Sequence, residues 1–184
     1  MINDILTFIK ARLSDKEPNL KYLDEDWGQL DYFHEHPPVK FPCVLLELQQ
    51  ANWKNQSKLV QDGELMITLR ISDLRLSNTS LGAPDTQKTR AAAIWIILEN
   101  IHRALHGWRP ADQDVFGTLT RISTRRVKRD DGMREFEVVY CLMCLDKSAT
   151  EQYYNIADPV VAYEQFDTVP PVPEVTTEIK HNNS

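Results

Sequence analysis

The sequence predicts an α+β fold, a mainly antiparallel sheet packed by one long helix and a short N-terminal helix. Three observations predict it. Ile94, Ile97, Leu98, Ile101 and Leu105 recur at helical spacing. Leu65, Ile67, Leu69 and Ile71 alternate with Glu64, Met66, Thr68 and Arg70, the two-residue period of a strand. Asp130-Asp131-Gly132 separates two strand-like runs, and Asp-Gly marks a tight hairpin because a type I′ turn needs positive φ at both central residues. Segregated helices and hairpin-linked strands place the chain in the α+β class rather than among alternating βα folds.

Taken in order, Ile2, Ile5, Leu6, Ile9 and Leu13 make residues 2–13 a short amphipathic helix, closed off by Pro18. Residues 20–23 read as a short strand, and His34-Glu35-His36-Pro37-Pro38 as loop. Residues 41–48 form a compact apolar run with Pro42 near its start, where a missing donor is tolerated, and read as a buried strand. A polar connection over 52–58 leads to the strand 64–71, so the two pair as an antiparallel hairpin with a long loop. After the turn-rich residues 76–84, Asp85 or Thr86 caps a helix running to about His106, with Gly107 at the position just past its end. Strands over 116–128 and 133–145 follow. With Asp131-Gly132 as the turn, Lys128 faces Glu135 and Arg126 faces Glu137, pairing opposite charges; Arg129 then faces Arg134 beside the turn.

The chain has 184 residues, 42% hydrophobic and 26% charged, enough for one domain with a substantial core. Its net charge of −6 excludes a global basic field for gripping nucleic acid. The longest unbroken apolar run, residues 91–98, falls far short of the ~20 residues that span a bilayer. The first residues show no basic segment ahead of an apolar one, so no secretory signal is expected, and three cysteines, an odd number, point to a reducing compartment. Charge divides the chain. Residues 148–184 hold six acids and only Lys180 as a base, together with Pro170-Pro171-Val172-Pro173, whereas the preceding residues are nearly balanced. The expected organisation is an α+β domain over 1–147 and an acidic, proline-containing C-terminal arm over 148–184.

Candidate chemistry is sparse. Cys141-Leu142-Met143-Cys144 has CxxC spacing, but residues three apart on a strand point to opposite faces, so both read as core cysteines rather than as metal or redox ligands. Glu99, His102 and His106 are spaced to share a helix face, but the first helix offers no histidine to complete a metal site, so they read as a solvated face. His34 and His36 lack a third ligand nearby. Phosphate-binding glycine loops, a nucleophile elbow and HExxH are not found, so no catalytic, cofactor or metal residue is assigned.

An assembly surface is the better-supported expectation. Arg121, Arg125, Arg126, Lys128, Arg129 and Arg134 cluster in the last hairpin, either as a solvated strand face or as a patch for nucleic acid or an acidic partner. Aromatics do not interleave with them, as single-strand binding would need. Trp95 and Ile96 lie off the apolar face of the long helix, so either the first helix or another subunit covers them. Tyr153, Tyr154, Tyr163 and Phe166 make the arm too aromatic to be purely solvating; such anchors suit docking on a neighbouring chain.

The order of elements, the strand Phe41-Pro42-Cys43-Val44-Leu45-Leu46-Glu47-Leu48 and the helix end Leu105-His106-Gly107-Trp108-Arg109-Pro110 resemble the tail-terminator or tail-completion proteins of long-tailed bacteriophages, in particular those of Mu-like prophages. The resemblance spans residues 1–146. It implies a structural virion protein that assembles as a ring, commonly a hexamer, on the head-proximal end of the tail tube, made in the bacterial cytoplasm and carried in the virion. Its implied partners are further copies of itself, the tail-tube protein and a head-completion protein, with no membrane and no cofactor. The alternatives are a nucleic-acid-binding module using the basic 121–134 hairpin and a small enzyme with an unrecognised site.

Overall fold

The computed structural model describes residues 1–32, 39–74, 79–110, 115–130 and 132–150. The elements are α1 (Ile2–Lys16), β1 (Tyr22–Glu25), β2 (Cys43–Asn55), β3 (Gln61–Leu74), α2 (Asp85–Leu105), β4 (Thr120–Val127) and β5 (Met133–Asp146), and residues 148–150 begin a further helical turn. The strands form one mixed sheet in the order β1-β2-β3-β5-β4, with β1 parallel to β2 and every other pair antiparallel. Both helices lie on one face of this sheet. Ile5, Leu6, Ile9 and Leu13 of α1 and Ala91, Ile94, Ile97, Ile101, Ala104 and Leu105 of α2 close over Leu65, Ile67, Leu69, Ile71, Phe136, Val138, Tyr140 and Leu142. The helices are joined by polar contacts as well: Arg12 Nε donates to the Ala104 carbonyl at 3.2 Å, and Asn100 Nδ2 to the buried Glu17 carboxylate at 2.7 Å.

Several expectations are corrected. The first helix reaches Lys16 and has 15 residues against 21 in α2, so two comparable helices pack the sheet, not one long helix with a short companion. The segment 20–23 does hold a strand, shifted to Tyr22–Glu25, but its parallel pairing makes the sheet mixed. At α2, Pro84 occupies the cap position and no side chain caps the helix; Asp85 sits in the first turn, where its charge suits the helix dipole. Gly107 follows the helix with φ +76, the left-handed conformation expected there.

The polar connection over 52–58 is largely strand. β2 and β3 stay paired out to Asn55 and Gln61, and Gln56 N–H closes the turn on the Val60 carbonyl at 3.0 Å. After a one-residue register shift between Leu48 and Gln50 the ladder continues through polar residues, because its backbone hydrogen bonds do not require apolar side chains. Trp53 crosses this extension over Gly63, where a Cβ would lie 2.7 Å from Cys144 Sγ and collide with the Trp53 ring, so no larger residue fits.

The last hairpin is slipped by one residue from the expected register. Arg125, Arg126 and Val127 oppose Glu137, Phe136 and Glu135, and the strand begins at Thr120; Phe116 makes only an isolated bridge to Cys144. Every residue of β4 before Val127 is exposed, so this strand has no apolar set to choose its own register. Cys144 lies on the core side of β5, and Cys141 is on the opposite face, its thiol 3.7 Å from Glu64 Oε1. All three cysteines are free thiols; burial pushes Cys43 up to about 12 and Cys144 up to about 11. The loop 34–38 and the arm beyond Thr150, with its aromatic residues, lie outside the described residues. No helix among the described residues is long and apolar enough to cross a membrane.

Candidate functional site

The long helix and the edge strand β4 enclose a groove of about 680 Å³ lined by Trp95, Leu98, Glu99, His102, Arg121, Ile122, Ser123 and Thr124. The stretch Leu105–Pro110 sets its geometry. Leu105 is buried, Gly107 turns the chain and donates to the Leu119 carbonyl at 2.8 Å, and Leu119 N–H returns a bond to the Trp108 carbonyl at 2.9 Å. Arg12 stacks over the Trp108 ring at 5.5 Å, and Arg109 Nε holds the Phe116 carbonyl at 2.7 Å. The end of α2 is thereby fastened to the chain entering β4. A register shift between Arg121 and Ser123 bulges the strand at Ile122, and Arg121 N–H donates to His106 Nδ1 at 3.1 Å across the groove's end.

The groove is open and mixed in lining, with Trp95, Leu98 and Ile122 set among Glu99, His102, Arg121, Ser123 and Thr124. Trp95 packs edge-on against Phe136 at 4.9 Å between centroids, yet Trp95 and Ile96 are each 58% exposed and Ile122 56%. The first helix therefore does not cover Trp95 and Ile96. Among the described residues β4 pairs with no strand but β5, so past the Arg121 amide, which is held by His106, its outer edge has no strand partner there. His102 Nδ1 is buried without a hydrogen-bond partner among the described residues, and burial, then the charges of Arg121 and His106, lower its pKa.

The six cations expected to act together are divided. Arg121 and Arg126 pair with Tyr140 and Phe136, positions whose side chains enter the core, and so lie on the helix side of β4. Arg125 lies on the opposite face, where its guanidinium grips Glu137 at 2.9 and 2.6 Å. Lys128 is exposed past the strand end. Arg134 is buried, 8% exposed, opposite Asp73. Arg129 is drawn into an internal cluster on the helix-free face. It donates to Glu135 Oε2 at 2.9 Å, Asp31 Oδ1 at 3.1 Å and the Leu30 carbonyl at 2.7 Å. In the same cluster Arg70 reaches Glu135 Oε1 at 2.7 Å, Asp26 Oδ2 at 2.7 Å and Asp31 at 3.1 Å. This cluster clamps residues 26–32 over Cys43, Leu45 and Met133, and the Arg70 hydrogen bond holds the Asp31 carboxyl below its usual range. Arg129 and Arg134 thus leave the expected surface, Arg121 lines the groove with Trp95, and Arg126 stays on the same side of β4.

Sequence reasoning missed Ile122, Leu98 and Thr124. An isoleucine set in Thr120-Arg121-Ile122-Ser123-Thr124-Arg125-Arg126 was the available signal: one apolar residue in a polar edge strand. Glu99 and His106, considered as ligands, are committed elsewhere: Glu99 pairs with Arg103, and His106 Nδ1 accepts the Arg121 amide.

No protein-family model and no curated protein sequence matches the chain. Among solved structures, a chain from the virion of a native gene transfer agent particle aligns with a TM-score of 0.46 and 12% identity, over 77% of this chain and 94% of that one.

Proposed function

We propose that this protein is a structural virion component that closes the head-proximal end of a phage-like tail tube and joins tail to head, working as a closed ring of identical copies. The observation that carries the reading is β4, an eight-residue edge strand exposed from Thr120 to Arg126, with its own Ile122 and, across the groove, Trp95 both open to solvent. Open edges recruit further chains unless charge or a bulge restricts them; here Arg121, Arg125 and Arg126 and the bulge at Ile122 restrict the edge to a complementary partner, and a groove runs along it. A head-to-tail contact of this kind closes into a ring when its rotation divides a full turn, and a hexamer is the stoichiometry the resemblance implies. The helix end Leu105–Pro110, on which the resemblance to tail-terminator proteins chiefly rests, is the element that fastens α2 to β4 and so shapes this surface. In this reading the chain is not an enzyme, needs no cofactor, and meets the tail-tube protein and a head-completion protein.

The nucleic-acid alternative needs a continuous cationic strip, but Arg125 is paired with Glu137, Arg129 is clamped to Asp31 and Glu135, and Arg134 is buried. The test is Arg121→Glu with Arg126→Glu in the producing phage or prophage. Tails of uncontrolled length, or tails that fail to join heads, are expected by electron microscopy. Normal tails would remove the groove from the mechanism, and normal virions after deletion of the gene would remove the function.

A further inference from the structure

Residues 151–184 carry six acids against one base, and within 158–169 three acids, Asp158, Glu164 and Asp167, stand with no base at all. The groove offers complementary charge in Arg121, with Arg126 further along the same side of β4, beside the apolar Trp95, Leu98 and Ile122. The same stretch, Val160-Val161-Ala162-Tyr163-Glu164-Gln165-Phe166, is rich in β-branched and aromatic residues, the types that pair on a sheet edge and anchor in apolar pockets. Resting on the ring reading above, we infer that residues 158–169 of one copy dock along β4 of the next, adding a strand to its open edge and seating Tyr163 or Phe166 against Trp95 and Ile122.

Chain direction starts the arm away from the chain's own groove. β4 starts at Thr120, opposite Cys141 on β5, and β5 runs on five residues to Asp146. At about 3.4 Å per residue the strand ends some 17 Å beyond the start of β4. Docking on the neighbouring copy rests on the ring reading, and cross-links within single chains would overturn it. Arginines on an open edge repel unselected strands and admit an acidic one, so the charge that protects the free protein also selects the partner. Strand addition supplies main-chain hydrogen bonds for affinity, and the aromatic anchors fix the register.

The experiment uses the full-length chain with benzoylphenylalanine replacing Phe166. Isotopically light and heavy protein are mixed, alone and with tail tubes, irradiated, and mapped by mass spectrometry. Cross-links are expected between light and heavy chains, landing on residues 95–102 and 120–126. Arg121→Glu with Arg126→Glu should cut their yield about tenfold or more, and adding Glu164→Arg and Asp167→Arg should restore it. Cross-links confined to single chains, or landing outside the groove while the protein still forms rings, would overturn the arm docking and leave the ring reading intact. A protein that stays monomeric at every concentration, with and without tubes, would overturn both.

Discussion

Two groups of arginines, Arg70 with Arg129 and Arg121 with Arg126, meet opposite fates. Arg70 and Arg129 lie under residues 26–32, with side chains 15% and 14% exposed and Glu135, Asp26 and Asp31 arranged around them. Arg121 and Arg126 lie on the helix side of β4, where Arg121 lines an open groove. The first group is sealed by its own chain and holds the fold together. The second is left exposed to solvent. Local charge density does not separate the two cases; the separation depends on whether a distant segment delivers carboxylates to the guanidinium, as residues 26–31 do for Arg70.

The largest expected effect comes from breaking the sealed cluster. Arg70→Ala leaves the Glu135 carboxylate, 1% exposed, with Arg129 as its remaining cationic partner. Truncating one side of a buried ion pair costs about 3–5 kcal/mol, and guanidinium denaturation should show a loss of that size. Rescue by Arg70→Lys should be incomplete, because an ammonium cannot reproduce the fork that reaches Glu135, Asp26 and Asp31 together.

The next contrast lies within α2. Ile101 is 1% exposed, so Ile101→Ala should destabilise by about 2–5 kcal/mol. Ile96→Ala, five residues earlier but on the open side, should stay within about 0.5 kcal/mol by the same measurement. A large loss for Ile96→Ala would mean that this side is core, not docking surface.

Acid should sharpen the difference between the regions. The folded pKa of Asp31 lies below its unfolded value of 3.8, so its stabilisation is complete above about pH 4 and is lost as pH falls through the folded value. Asp31→Asn should flatten that part of the acid-unfolding profile. His102, beside the groove, also has a lowered pKa, against an unfolded value of 6.5. Protonation then favours the unfolded chain, so stability should decline as pH drops below about 6.5, and His102→Gln should remove that slope. The smallest effect on folding is expected from Arg121→Glu with Arg126→Glu, within about 0.5 kcal/mol of the parent, because exposed strand charges contribute little. The same pair should impair assembly, and increasing salt should reproduce that impairment in the unmodified protein.

Much of the architecture was legible in one dimension. The stripe from Ile94 to Leu105 and the alternation from Leu65 to Ile71 report directly which side chains leave water, because helix and strand periods map spacing onto a face. Gly107 and Gly132 marked chain reversals, and both have positive φ. The groove was half legible, since Trp95 stands off the buried stripe at a computable angle. Its other wall was not. Ile122 and Arg121 line the groove only because β4 bulges and the helix end is fastened to it, and neither is a property of local spacing.

By itself, then, the amino-acid order determined the class of fold, the buried faces of α2 and β3, the opposite facing of Cys141 and Cys144, and the concentration of acid after Lys147. Tertiary structure alone decided that β1 joins in parallel, that β4 pairs one residue away from the register its charges suggested, and that Arg129 and Arg134 turn inward. The physical reason is range. Periodicity and turn chemistry act over a few residues, whereas the register of an exposed edge strand and the partner of an arginine depend on contacts between residues such as Asp31 and Arg129, which only the closed sheet brings to 3.1 Å.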